Sequence, residues 1–173
     1  MSSILHKGSF LRFCESEGWE FVERSNESRV VVIMALTPNG DLLLVDQYRP
    51  PVNARVIELP AGLVGDDHSE LPVEAAQREL LEETGYEAQS WKCLVEGPLV
   101  PGISNEWIHL FLASSLVKVN SGGGVGNEDI IVHEVPRSTF TRWLADMKEQ
   151  GRMIDPKIFT LWFYTQSLQD PTK

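Results

Sequence analysis

The chain predicts an α/β (α+β) domain, and three observations carry that prediction. Short apolar, β-branched runs recur between turn signals. One central segment and two C-terminal segments have helical character instead. No repeat or linker-like tract divides the 173 residues, whose 42% hydrophobic and 23% charged content suits one domain with a sizeable core.

The elements follow in order. Residues 30–36 and 41–47 are apolar runs separated by Thr37-Pro38-Asn39-Gly40, a turn signal that predicts a β-hairpin. Residues 56–59 read as another strand, with Pro60-Ala61-Gly62 as a breaker. A helix is expected over 72–84: Pro72 suits its first position, Glu74 complements the first turn, and Gly85 can close it. Leu71 stands where Ser, Thr or Asp would cap that helix well. Residues 92–95 and 107–113 predict strands, residues 121–126 a flexible glycine-rich loop, and residues 130–135 a further apolar strand. Residues 139–148 have helical spacing, and Asp155-Pro156 reads as the start of a last helix.

The formal charge is −10 and the pI about 4.8. Such a surface disfavours nucleic-acid backbone and anionic membranes, while clustered carboxylates suit hard divalent cations that can bridge to phosphate. The longest apolar runs are far short of a membrane span, and the N-terminus lacks a signal-peptide pattern. Cys14 and Cys93 form no close pair and no metal-ligand spacing, so two reduced, mostly buried thiols and a cytoplasmic location are expected. His6, His68, His109 and His133 form no zinc pattern.

The informative segment runs from Arg78 to Tyr86. On a helix, residues three and four apart share a face, so Glu79, Glu82 and Glu83 converge. Their mutual repulsion calls for a cation. Arg78, four residues from both Glu74 and Glu82, can tie down one or two acids but cannot neutralise them all. From charge alone, a solvated acidic face is the commoner meaning of such a run. The context is what changes the meaning: Gly62 and Glu70 lie upstream, and Thr84-Gly85-Tyr86 closes the run.

This pattern resembles the Nudix box, Gly-x5-Glu-x7-Arg-Glu-U-x-Glu-Glu-x-Gly-U, where U is aliphatic or aromatic. From Glu70 through Tyr86 every fixed position fits. Between Gly62 and Glu70 lie seven residues rather than five, extra length that falls in the Gly/Asp-rich stretch 64–69. The resemblance implies a Nudix fold, a mixed β-sheet sandwiched between helices. It also implies Mg²⁺ as cofactor, with Mn²⁺ as a substitute. Glu79 and Glu83 would be the principal ligands, Glu82 a further or water-mediated one, and the Ala61 carbonyl would complete the site. Arg78 would orient the carboxylates, and Glu70 would brace the loop.

Flanking segments resemble the ADP-ribose and nucleoside-diphosphate-sugar (GDP-mannose-type) pyrophosphatase branch. Gln47-Tyr48-Arg49-Pro50-Pro51 and Glu58-Leu59-Pro60-Ala61-Gly62 carry that likeness, as does Trp19-Glu20-Phe21-Val22-Glu23-Arg24. By resemblance, residues 1–28 form a small N-terminal β segment that a homodimer could exchange, ahead of a hydrolase domain over 29–173. Trp19 would stack on a nucleobase, with Glu20 and Arg24 beside it, and Arg49 could fork onto phosphate. Glu106 in the 101–106 loop would reach the sugar or a metal-bound water, and Lys157 would touch phosphate. Glu128, at the end of the glycine-rich loop, would be a metal anchor or general base, with Glu82 the competing base.

The expected partner is thus a small nucleoside-diphosphate-linked molecule, not nucleic acid or membrane. Two other readings stay open: a hydrolase of dinucleoside polyphosphates or coenzyme A, with net acidity arguing against capped RNA, and a catalytically idle nucleotide-sugar sensor. The intact glutamate set favours an enzyme.

Overall fold

The computed structural model describes residues 2–25, 29–65, 70–126 and 128–167 (backbone alone for 166 and 167). Residues 66–69, which hold His68 and most of the lengthened loop, lie outside the described residues, as does Asn127. Strands β1 (Ser3–Lys7), β2 (Leu11–Ser16) and β3 (Trp19–Arg24) form a separate antiparallel three-stranded sheet. At the β2–β3 turn, Glu17 and Gly18 both take positive φ (55° and 80°), the left-handed twist that a two-residue hairpin turn requires.

Next come β4 (Arg29–Ala35), β5 (Leu42–Arg49), β6 (Ala54–Glu58) and β7 (Ala61–Leu63). The predicted hairpin over 30–47 needs correcting. Its turn forms, with Thr37 N–H donating to the Asp41 carbonyl at 2.9 Å, but the strands part into different sheets beyond the Leu36–Leu42 bridge. The reason lies in their composition. Val31, Val32, Ile33, Met34 and Ala35 are all at most 1% exposed, as are Leu42 through Val45, so each strand is buried on both faces. A two-stranded ribbon could not cover both. Pro60-Ala61-Gly62 likewise only interrupts the chain, because Ala61–Leu63 pairs antiparallel with β4.

Helix α1 (Pro72–Thr84) has its expected bounds. It is followed by β8 (Tyr86–Pro98), β9 (Trp107–Lys118), β10 (Ile130–Val135), α2 (Phe140–Glu149), β11 (Met153–Ile154) and α3 (Ile158–Ser167). Strands β8 and β9 run well past their predicted lengths, since pairing with each other carries them through polar, exposed positions. The orders are β7-β4-β9-β8 and β10-β5-β6-β11, with β4–β9 and β6–β11 parallel. One core packs Ala75, Ala76 and Leu80 of α1 against Val31, Ile33 and Phe111; the other packs Phe140, Leu144, Ile158 and Leu161 of α2 and α3 against Val32, Met34 and Leu44. Alternate residues of β4 thus face opposite cores, which fixes α1 over β4 and β7. Among the described residues no helix is long and apolar enough to cross a membrane. Cys14 is buried as expected, whereas Cys93 is exposed.

The α1 N-terminus carries half of a capping box. Leu71 N–H donates to Glu74 Oε2 at 2.9 Å, but Leu71 itself offers no side-chain acceptor. Its side chain is 57% exposed, so little packing is lost by replacing it. Leu71→Ser should therefore stabilise the protein by about 1 kcal/mol, read as a raised denaturant midpoint at unchanged slope. An unchanged or lowered midpoint would show that Leu71 packs more than its exposure suggests.

Candidate active site

A cleft of about 490 Å³ opens where the two four-stranded sheets meet α1. It is lined by Glu79 and Glu83 of α1, Gln47 and Arg49 of β5, Glu58, Ala61, Gly62, Arg24, Glu106, Glu128, Asp155 and Lys157. Carboxylates form one part of the wall. The cations are each already paired: Arg24 Nε lies 2.7 Å from Glu106, Arg49 Nη2 lies 2.8 Å from Glu58, and Lys157 Nζ bonds Asp155.

Local backbone geometry brings the acids in. The packing of the middle of α1 against β7 leaves no room above Gly62, where a Cβ would stand 1.9 Å from the Glu79 carboxyl carbon. Glu83 is only 5% exposed and accepts a hydrogen bond from Ala61 N–H at 3.1 Å. Burial pushes its pKa up to about 8; the Ala61 N–H opposes that shift, and the charges of Glu79 and Glu128 add to it. Burial likewise raises Glu79, opposed by Arg78. Glu58, absent from the sequence-based candidates, is also raised by burial and countered by Arg49.

Arg78 is the organising cation. Its Nε meets Glu70 Oε1 at 3.1 Å, its Nη1 meets Glu79 Oε1 at 2.7 Å and Glu82 Oε2 at 3.4 Å, and its Nη2 meets the Leu63 carbonyl at 3.0 Å. Glu70 also accepts from Gly65 N–H, the loop brace expected of it. Of the two acids four residues from Arg78, Glu82 is the one it meets, while Glu74 accepts from Leu71 N–H. Glu82 is held by Arg78 and is not among the residues lining the cleft.

The glycine-rich stretch is not the free loop that its composition predicts. Gly123 N–H donates to the Glu83 carbonyl and Gly124 N–H to the Glu82 carbonyl, both at 2.9 Å, so a distant segment caps the C-terminus of α1. Contact is close enough that a Cβ on Gly122 would lie 2.4 Å from the Thr84 carbonyl carbon, and one on Gly85 2.2 Å from the Asn120 oxygen. Glu128 folds back over Gly124 and accepts from Val125 N–H at 2.9 Å.

Trp19 borders a second, more apolar cleft of about 480 Å³ with Phe21, Pro98, Pro101, Ser104 and Trp107. Its indole N–H donates to the Gly102 carbonyl at 3.3 Å. The segment from Pro98 to Trp107 separates the clefts, giving Leu99 and Glu106 to the first. Glu20 is exposed, pairs across the sheet with Glu15, and lines neither cleft. Sequence reasoning missed Gln47, although the two-residue alternation that places Arg49 in the cleft places Gln47 there as well. Its Oε1 is buried without a hydrogen-bond partner among the described residues.

Among the described residues no three His, Cys, Asp or Glu side chains already stand as a ready-made metal cage. The donors nevertheless suit a hard cation: the charge of Glu128 disfavours ionisation of both Glu79 and Glu83, so the three converge on one region. A divalent ion would relieve that repulsion, which Arg49 and Arg78 offset in part.

A NUDIX domain model matches residues 26–164, and the chain belongs to that family. Over 155 residues it is 34% identical to a GDP-mannose pyrophosphatase of Yersinia enterocolitica, covering 85% of this chain and 76% of the relative. It is 33% identical to a methanol dehydrogenase activator of Bacillus methanolicus, covering 83% and 74%. An ADP-ribose pyrophosphatase of Mycobacterium tuberculosis is 43% identical over 51% of this chain and 42% of its own length. The fold matches the crystal structure of an ADP compounds hydrolase with a TM-score of 0.71 at 18% identity, covering 97% of this chain and 91% of that one. Hydrolases of this family generally need divalent cations.

The raised Glu83 has a measurable consequence without any cation. The native state keeps a proton that an unfolded glutamate, at 4.5, has lost, so stability falls as pH rises from about 4.5 to about 8 and then levels off. In chelator, Glu83→Gln should flatten that decline in a denaturation series. A slope identical to that of the parent protein would contradict the assignment.

Proposed function

We propose that the chain is a Mg²⁺-dependent pyrophosphohydrolase acting on nucleoside-diphosphate sugars or ADP-ribose. Water adds to one phosphorus as the P–O–P bridge breaks, releasing a nucleoside monophosphate and a sugar phosphate. The observation that carries the reading is one cleft lined by Glu79, Glu83 and Glu128 together with Arg24, Arg49 and Lys157. Acids alone would repel a diphosphate, and cations alone would bind it without activating water.

Glu79 and Glu83 would hold the Mg²⁺, for which Mn²⁺ could substitute, with the Ala61 carbonyl beside them and Glu82 as a water-mediated contact. The ion, when bound, neutralises phosphate oxygens and acidifies a water. Arg78 orients Glu79 through its 2.7 Å contact. Arg49 and Lys157 are placed to exchange their carboxylate partners for phosphate oxygens. Glu128 takes the water's proton; its place on the cleft wall favours it over Glu82 for that role.

Trp19 supplies an aromatic face for the base, with Phe21 and Trp107 beside it. Relatives named for GDP-mannose and ADP-ribose pyrophosphatase activity support the substrate class. The exposed Ile4, Leu5, Phe10, Leu11 and Phe13 of the N-terminal sheet support a homodimer built on that sheet. A cytoplasmic setting fits two unpaired cysteines.

A panel of ADP-ribose, GDP-mannose, UDP-glucose and dinucleoside polyphosphates with Mg²⁺ tests the reading by the phosphates released. Cleavage confined to dinucleoside polyphosphates, or none at all, would contradict it. On the preferred substrate, Glu83→Gln should lower kcat by about 100-fold or more with the fold intact. Trp19→Ala should instead raise KM by about 5- to 150-fold at nearly unchanged kcat, the loss of one stacked base.

A further inference from the structure

Behind the cleft, on the other face of β5, lies a charged cluster that none of the roles above uses. Asp46 is 1% exposed, yet it is a carboxylate in the middle of an apolar strand. Arg55 Nε meets its Oδ1 at 2.8 Å, Arg152 Nε meets its Oδ2 at 3.2 Å, and His133 Nε2 stands 3.9 Å away. The Arg55 guanidinium does more than neutralise Asp46. Its Nη2 also donates to the Asp46 carbonyl at 2.7 Å and the Asp129 carbonyl at 3.0 Å, and its Nη1 meets Asp129 Oδ2 at 2.7 Å.

The strand order explains the reach. Arg55 sits on β6, Asp46 on the central β5, and Asp129 just before β10, so one side chain spans three adjacent strands. Asp129 is the residue after Glu128. The Glu128 segment is therefore pinned at both ends. Upstream, Gly123 and Gly124 cap α1 through the Glu83 and Glu82 carbonyls; downstream, Arg55 grips the Asp129 backbone and side chain.

From this arrangement we infer that Arg55 is a positioning residue for Glu128, holding the segment so that its carboxylate faces Glu79 and Glu83 before any ligand binds. The inference rests on the role proposed for Glu128 above. A fork is needed for it: Arg55 engages two carboxylates and two backbone carbonyls, four acceptors in all, which suits the five donors of a planar guanidinium and exceeds the three on a single ammonium nitrogen. A misplacement of about 1 Å at a reacting group can cost about 100-fold, so the clamp has leverage despite lying outside the cleft.

The test combines kinetics with exchange in the cation-free protein. With GDP-mannose or ADP-ribose and Mg²⁺, Arg55→Met is expected to lower kcat by about 10- to 100-fold with KM nearly unchanged. Arg55→Lys should not rescue it. In a Glu128→Gln background, Arg55→Met should cost almost nothing more, because the group it positions is already disabled. In chelator, hydrogen exchange at the Gly123, Gly124 and Val125 amides should quicken in Arg55→Met while α2 amides stay protected. Asp129→Ala, at an exposed side chain, should show the same non-additivity with a smaller factor, and it serves if Arg55→Met fails to fold. Equal losses in both backgrounds, full rescue by lysine, or unchanged loop exchange would each overturn the clamp alone. A Glu128→Gln variant with full kcat would instead remove the Glu128 role, and the clamp's catalytic purpose with it.

Discussion

Carboxylates that converge on one cleft repel each other, and burial strengthens the repulsion while withdrawing the water that would screen it. That constraint shapes everything around α1. Glu83 is lifted to about 8 and Glu79 is raised as well, both chiefly by burial. A protein gains nothing in stability from such an arrangement, so its presence points to a ligand that does gain from it. The local cations answer only part of the charge. Arg78 draws on Glu70, Glu79 and Glu82 at once, whereas among the described residues Glu83 and Glu128 are met by the backbone N–H groups of Ala61 and Val125.

Holding such groups together requires backbones that approach more closely than side chains normally allow. Gly62 lets Glu79 lie against β7, and Gly122 lets a segment far along the sequence cap α1. The cap matters twice. It satisfies carbonyls that a helix C-terminus leaves open, and it ties the position of Glu128 to that of Glu82 and Glu83. On the proposed roles, the geometry around Glu128 would depend on two distant segments joined by backbone hydrogen bonds, with Arg55 closing the far end.

Much of this was legible in the sequence, and the parts that were not have identifiable reasons. Helix α1 could be bounded because Pro72 and Gly85 mark its ends, and its acidic face follows from helical spacing. Its family likeness and that of the Arg49 and Glu128 segments were readable as motifs. The pairing of β4 and β5 was not: a good turn signal says that the chain reverses, while two-sided burial decides that the strands separate. The glycine run was misread because composition reports freedom of φ and not what the freedom is for; here it permits close packing against a helix end. Glu20 was carried into the candidate set by its neighbour Trp19, although strand alternation sends adjacent side chains to opposite faces. Glu58, Gln47 and Arg55 went unnoticed because their roles depend on which strands lie side by side.

The central claim is that Glu79 and Glu83 hold a divalent cation in the cleft that Glu128 and Arg49 also line. Crystals grown with Mn²⁺ and measured for its anomalous scattering test it most directly. The account predicts a strong anomalous peak within coordination distance, about 2.0–2.6 Å, of Glu79 and Glu83 oxygens, lost in Glu83→Gln. An ordered Glu79–Glu83 pair with no peak between them at saturating Mn²⁺, or a peak elsewhere that survives the substitution, would contradict it.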